Sequence, residues 1–440
     1  MPIVAEAFTT SKYNHFYKIK GKYLGTNLLS WAILSLDEEQ YKLVNDFLSL
    51  KRAPQNEYEE AIFGLLLEKK FINPLGFNED EYLKHLFSLN KQSKDSFSLG
   101  LAITLGCNFR CLYCYQDHPA KRMTRIVQRS VLAYLEKELP GMDSFAVSWW
   151  GGEPLLEAGI IKNLGTEIMA LCHKFGVKYS CSMSTNGYLL NDENIQILKD
   201  GHLKHIQVTI DGYKNAHDKT RILANGEGTY DVILENLHHL VSAMPEAHIT
   251  IRMNICKSAL DVDGHKKLLA DLAPIRDAIA IAPREVLPTE NFDGLCLPQN
   301  KFDEYYNKIG DITNQLGFRI AFGVHGVGTT YCGAVPDGNW LIHPEGFIHK
   351  CTAIAHKPEL ALGRLLLDGT VELNKAAESW RNYSPFDDEQ CNRCSFLPIC
   401  MGGCRRITYT NSPYVNRCRI KEELPLMVIN KLQFEQKGGD

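Results

Sequence analysis

Three absences narrow what this 440-residue sequence can be. No stretch approaches the roughly 18 consecutive apolar residues of a membrane-spanning helix, which excludes a transmembrane anchor of that kind. The opening residues, Met1-Pro-Ile-Val-Ala-Glu-Ala7, have neither the basic start nor the apolar block of a secretory signal. Excess charge is absent too: the net value of −4 gives no reason to expect nucleic acid or an anionic membrane as partner. The remaining composition, 45% hydrophobic and 23% charged, is that of an ordinary globular chain. Its length suggests about two to three domains. What is abundant is cysteine. Fourteen of them, without an export signal, point to a reducing compartment and metal ligation instead of disulfides. A cytoplasmic location is expected.

Three cysteines open the chemistry: Cys107-Asn-Phe-Arg-Cys111-Leu-Tyr-Cys114. Ligands at this spacing can hold three corners of a [4Fe–4S] cube and leave the fourth iron open to a substrate or cofactor. The run follows Leu99–Leu105, an apolar segment that reads as a buried strand. A loop at the C-terminal end of a strand is where α/β barrels keep their chemistry. Taken alone, the triad also suits a zinc knuckle or three buried thiols.

Cys107-x3-Cys111-x2-Cys114, with Tyr113 before the third cysteine, resembles the signature of radical S-adenosylmethionine enzymes. The resemblance implies that the open iron chelates the amino and carboxylate groups of S-adenosylmethionine. One electron then releases a 5′-deoxyadenosyl radical that abstracts hydrogen, the protein supplying position and exclusion of water.

Residues 96–320 read as alternating strands and helices, which implies a parallel sheet with helices outside. Strands are expected at Leu99–Leu105, Phe145–Trp150, Lys178–Ser184, His205–Ile210, Ile249–Ile255 and Ala278–Leu287. Six repeats fit the partial (β/α)6 TIM-type barrel of the family. Gly151-Gly152-Glu153-Pro154 after the second strand resembles the family loop that meets the amino group of S-adenosylmethionine. Ser184 and Asn186, ending the third strand, are suited to ribose hydroxyls. Thr209-Ile-Asp211-Gly, followed by His217-Asp218 and Arg221, resembles Ser-x-Asp-Gly…His-Asp-x-x-Arg with threonine replacing serine. A guanidinium would suit the cofactor's carboxylate, and the choice between Thr209 and Arg221 stays open; Asp211 is either a cofactor contact or a turn cap. Trp149 and Trp150 are expected to face opposite sides of their strand. Cys172, Cys181 and Cys256 read as core thiols.

Residues 321–440 carry Cys332, Cys351, Cys391, Cys394, Cys400, Cys404 and Cys418. The pattern C-x13-G-x4-C, gap, C-x2-C-x5-C-x3-C, gap, C resembles the SPASM extension of radical enzymes, although C-x2-C pairs also hold zinc. The resemblance implies that Cys391, Cys394, Cys400 and Cys418 hold an outer auxiliary cluster. It assigns Cys332, Cys351 and Cys404 to an inner one that lacks a fourth thiolate, with Cys296 as a distant candidate. Three [4Fe–4S] clusters and S-adenosylmethionine are therefore the expected cofactors.

Residues 1–95 read as a hairpin around Lys20-Gly21, a capping box at Ser35–Glu38, and helices from about 38, 57 and 78. Lys91–Ser96 reads as a polar linker. Strands and short helices in this order suggest a winged-helix-like module. It resembles the leader-binding segment of radical enzymes that modify ribosomally made peptides. The expected function is therefore a side-chain cross-link, carbon–carbon (cyclophane) or thioether, in a precursor peptide with a leader. An electron donor such as flavodoxin or ferredoxin is implied. The rivals are an anaerobic sulfatase maturase, a peptide epimerase and a multi-cluster electron-transfer protein. The first resembles its relatives in placing a general-base Asp immediately after the second SPASM cysteine; here that residue is Thr352.

Overall fold

The computed structural model describes residues 7–19, 21–287, 294–321 and 332–410, with the single positions 418, 421, 424 and 428. Its centre is a mixed α/β body built on parallel strands. These are β6 (Ser96–Thr104), β7 (Ser144–Gly151), β8 (Lys178–Thr185), β9 (Leu203–Thr209), β10 (His248–Ile255), β11 (Ile279–Glu285) and β12 (Arg319–Ile320), each beside the next. They are preceded in the chain by β1 (Phe8–Thr10), β2 (Asn14–Ile19), β3 (Lys22–Asn27), β4 (Ala32–Leu36) and β5 (Ile72–Pro74). Six strands were expected in the barrel. The two-residue β12, parallel to β11, adds a seventh too short for periodicity to show.

Strict alternation explains the layering. Leu99, Leu101 and Ile103 on β6, Val147 and Trp149 on β7, and Ile206 and Val208 on β9 are buried in one core. The helices Arg125–Glu138, Ala158–Phe175, Asp192–Asp200, Tyr230–Ala243, Val262–Leu272 and Gln299–Gln315 supply the other half of it. Each such aliphatic side chain contributes about 1.5–3 kcal/mol when fully buried. The residues between them point the other way, and at the C-terminal strand ends they are polar. Trp149 donates from its indole to Cys181 Sγ at 3.2 Å, while Trp150 lines the cavity at the barrel mouth.

The barrel does not close. On its far side β6 pairs in parallel with β13 (Trp340–Ile342), Leu99 lying opposite Trp340. Antiparallel β14 (Phe347–His349), β15 (Gly363–Leu365) and β16 (Val371–Leu373) then extend the same sheet. The C-terminal hairpins are thus a continuation of the barrel sheet.

In the N-terminal region β2, β3 and β4 form an antiparallel sheet, and β1 pairs with β5. Helices follow at Glu38–Leu48, Glu57–Glu68 and Glu79–Lys91. Lys20, half of the expected hairpin turn, lies outside the described residues. The capping box is two residues later than expected. Asp37, not Ser35, accepts from the Gln40 amide at 2.8 Å, and the Gln40 side chain accepts from the Asp37 amide. Both Ser-x-x-Glu and Asp-x-x-Gln fit the pattern, so sequence alone could not choose between them. Lys91 is not linker: it ends its helix, is buried, and pairs with Asp337 at 3.3 Å. The connection is shorter than expected, 92–95, and its start was misplaced because a lone lysine carries no sign of a distant carboxylate.

Candidate active site

Above the strand ends lies a cavity of about 540 Å³. The loop carrying the first three cysteines forms one wall. It is closed at its base by Leu105 N to Lys121 O (2.8 Å) and Met123 N to Ile103 O (2.7 Å). It is clipped to the segment after β9 by Arg110 N to Ile222 O and Leu112 N to Thr220 O, at 2.8 and 2.9 Å. Phe109, fully buried, anchors it from below. Cys107, Cys111 and Cys114 consequently all face the cavity. Burial pushes their thiols up, Cys111 to about 12 and Cys107 to about 11, while the Arg221 guanidinium pulls all three down.

Gly151 and Gly152 form the next wall. A Cβ on Gly151 would lie 2.0 Å from the Thr104 carbonyl oxygen, and one on Gly152 2.2 Å from that of Gly106. Only glycine lets this loop lie flat against the start of the cysteine loop, and Gly151 also has φ of 147°. Glu153 is fully buried and stands behind the wall. Its carboxylate accepts from Thr185 Oγ1 and Asn186 N, both at 2.7 Å, and from Leu155 N at 3.0 Å. Glu153 thereby ties the glycine loop to the end of β8. Neither it nor Pro154 lines the cavity, whereas Ser184 and Asn186 do.

Thr209 and Arg221 line the cavity; Asp211 does not. Nor does Asp211 cap the following turn. It is buried and accepts from the Tyr113 hydroxyl and from Asn254, backbone at 3.0 Å and side chain at 3.1 Å. Arg221 Nη1 donates to the same Tyr113 hydroxyl at 3.0 Å. Arg221 Nε and Gln116 Oε1 are buried polar atoms with no hydrogen-bond partner among the described residues. His217 is buried and kept neutral, accepting from Asp211 N at 3.2 Å and contacting Thr229 Oγ1 at 3.1 Å. Asp218 accepts from Thr229 N and Tyr230 N, ordering the start of helix Tyr230–Ala243. The His-Asp-x-x-Arg stretch therefore builds the wall, and only its arginine reaches the space.

Sequence reasoning missed Gln207, Arg252, Asn254, Glu285 and Arg406, which also line the cavity. A signal existed for three of them. Gln207, Arg252 and Asn254 are polar residues at alternate positions near the C-terminal ends of otherwise apolar strands. Arg406 is brought in by the C-terminal fold and had none.

The seven later cysteines sort into two groups. Cys391, Cys394, Cys400 and Cys418 line one small cavity. Cys400 is pushed up to about 12 by burial and then by Cys391, Cys418 and Cys394. Cys332, Cys351 and Cys404 form the other: Cys351 is pushed up to about 12 by burial, then by Cys404 and Cys332. Cys296 is in neither group. It packs against the buried cluster of Cys256, Ala259 and Val286. Among the described residues no three His, Cys, Asp or Glu side chains converge as ligands of a single metal ion.

Residues 101–257 match the family model of the Radical SAM superfamily. That stretch is similar to a radical SAM domain. Across 334 residues it is 23% identical to the serine-type anaerobic sulfatase-maturating enzyme of Klebsiella aerogenes, spanning 68% of this chain and 76% of that protein. Across 358 residues it is 23% identical to the PqqA peptide cyclase of Bradyrhizobium diazoefficiens, spanning 72% and 84%. Among solved structures it is similar to native anSMEcpe with bound AdoMet and Cp18Cys peptide. There the TM-score is 0.59 at 19% identity, over 76% of this chain and 98% of that one. At that identity the likeness shows the fold.

The residues present fit the radical SAM cofactors. Three thiols on one loop face a cavity that also receives bare glycine backbone and the unpaired Arg221 Nε. Among the described residues, no helix is long and apolar enough to cross a membrane.

Proposed function

We propose that this is a radical SAM/SPASM enzyme that modifies side chains of a ribosomally made precursor peptide, closing a carbon–carbon (cyclophane) or thioether cross-link. The observation that carries the reading is the sorting of the later cysteines into a set of four and a set of three, in a chain whose barrel mouth already holds the open triad. Cys107, Cys111 and Cys114 would hold the first cluster, and the two later sets would hold auxiliary clusters. The chemistry supplied at the triad, with S-adenosylmethionine bound, is hydrogen-atom abstraction from an unactivated carbon. The chain's own residues bind and orient. Gly151 and Gly152 offer backbone to the amino group, Ser184 and Asn186 offer polar atoms to the ribose, and Arg221 offers a guanidinium to the carboxylate. Trp150 and Tyr115 narrow the remaining space, where the target carbon would be held in line. An electron donor such as flavodoxin or ferredoxin would supply electrons, and the N-terminal region would bind the leader.

Formylglycine formation is the second reading, favoured by the relatives' names. Against it stands Thr352, which lines the cavity directly after Cys351 where a base would be needed. Glu285 is the one carboxylate among the described lining residues, and it lies at the end of β11, not in the turn that begins at Thr352. The test is anaerobic incubation of the cluster-loaded enzyme with S-adenosylmethionine and the peptide encoded beside its gene. A product lacking two hydrogens that resists backbone fragmentation between two residues is expected. A product with an aldehyde that reacts with hydrazines would replace this reading by the second.

A further inference from the structure

Two N-terminal side chains reach the four-cysteine set from outside it. His15, on β2, packs against Phe396 with the rings tilted by 51° and their centroids 4.4 Å apart, and its Nε2–H donates to the Ser395 carbonyl at 3.2 Å. Lys12 Nζ donates to the Asn392 carbonyl at 3.5 Å. Both carbonyls belong to the turn between Cys391 and Cys400, one on each side of Cys394. Lys91 makes the matching contact to the other set: it pairs with Asp337, in the turn that starts at Cys332, and donates to the Arg381 carbonyl. Beneath these anchors lies a shared apolar core. Tyr13, Leu28 and Phe87 from the N-terminal region pack there with Phe386, Cys391 and Leu397, and Cys400 and Cys332 lie against it.

We propose that the N-terminal region positions the Cys391–Cys400 ligand loop and walls it from water, and that through this contact His15 sets the reduction potential of the group those cysteines hold. The inference rests on the reading of Cys391, Cys394, Cys400 and Cys418 as cluster ligands. Reduction adds negative charge to a site already ringed by thiolates, and solvent exposure is one of the terms that sets its potential. Water stabilises that added charge where an apolar wall does not. Burial keeps the His15 ring neutral, so it acts by covering Phe396 and holding the Ser395 carbonyl, not as a cation. Losing the hydrogen bond to the Ser395 carbonyl frees the ligand turn, opens a path for water and raises the potential.

The experiment uses the full chain with Cys107, Cys111 and Cys114 changed to Ala, so that iron signals come from the later cysteines. In this parent, His15→Ala and His15→Gln are compared by iron content and by redox titration followed by electron paramagnetic resonance. The expected result is equal iron in all three, an upward shift of one midpoint in His15→Ala, and return toward the parent value in His15→Gln. Glutamine keeps the hydrogen bond to Ser395. Loss of about four irons in His15→Ala with rescue by glutamine would equally support positioning. Full iron with an unchanged midpoint, or the same shift in both variants, would overturn it. A parent holding no iron would remove the cluster reading, and this inference with it.

Discussion

The barrel mouth and the C-terminal array bring their cysteines together by opposite constructions. The first triad spans eight residues, from Cys107 to Cys114, on one loop closed by its own backbone bonds. The later seven run from Cys332 to Cys418, and their grouping interleaves: Cys404 belongs with Cys332 and Cys351, although it follows Cys400 closely. A local loop can keep its geometry with little help from elsewhere. An array gathered across so many residues depends on whatever fixes each turn, and here part of that comes from the N-terminal region. The lesson is that part of the N-terminal region, including Tyr13, Leu28 and Phe87, shares one core with the C-terminal array.

The comparison breaks most visibly under cysteine replacement. Changing Cys107, Cys111 and Cys114 together to Ala is expected to remove about four of roughly twelve irons and abolish formation of 5′-deoxyadenosine. Changing Cys391, Cys394, Cys400 and Cys418 instead should remove a similar share of iron, leave slow cleavage of S-adenosylmethionine, and stop peptide modification. Iron analysis and chromatography of the reaction decide both. Zinc in place of iron at the later cysteines would end the parallel between the two regions.

A smaller effect tests how local the barrel mouth is. Glu153→Gln removes a buried charge that accepts three hydrogen bonds and places an amide donor against Thr185 and Asn186. Bonds to charged groups contribute about 1.5–3 kcal/mol each, so a stability loss on the order of 2 kcal/mol is expected in urea unfolding. Affinity for S-adenosylmethionine should weaken about tenfold, which corresponds to ~1.4 kcal/mol. Unchanged affinity in equilibrium dialysis would show that the glycine loop needs no support from β8.

The smallest effect is expected at Cys296. It packs against the cluster of Cys256, Ala259 and Val286. Cys296→Ala should leave iron content and the auxiliary spectra unchanged. Loss of one cluster would make Cys296 a fourth ligand and the set of three a closed one.

Much of the barrel was legible because its signals are local and periodic. Strand alternation, helical spacing and the glycine-rich and cysteine-rich loops each occupy a few adjacent residues, and the expected strands lie within a few residues of β6 to β11. The candidate site was legible where a residue's type announces its role, as with Cys111 or Gly151. It was less so for Glu153 and Asp211, whose charge suggested ligand contact while their burial makes them supports of the wall.

By itself the sequence determined the open triad, the order of strands and the number of later cysteines, since each depends only on spacing along the chain. Tertiary structure alone decided that β13 joins the barrel sheet at β6, that Arg406 reaches the cavity, and that His15 and Lys91 hold the turns of the cysteine array. Those contacts join residues hundreds of positions apart, and neither hydrophobic period nor residue type records a partner at that distance.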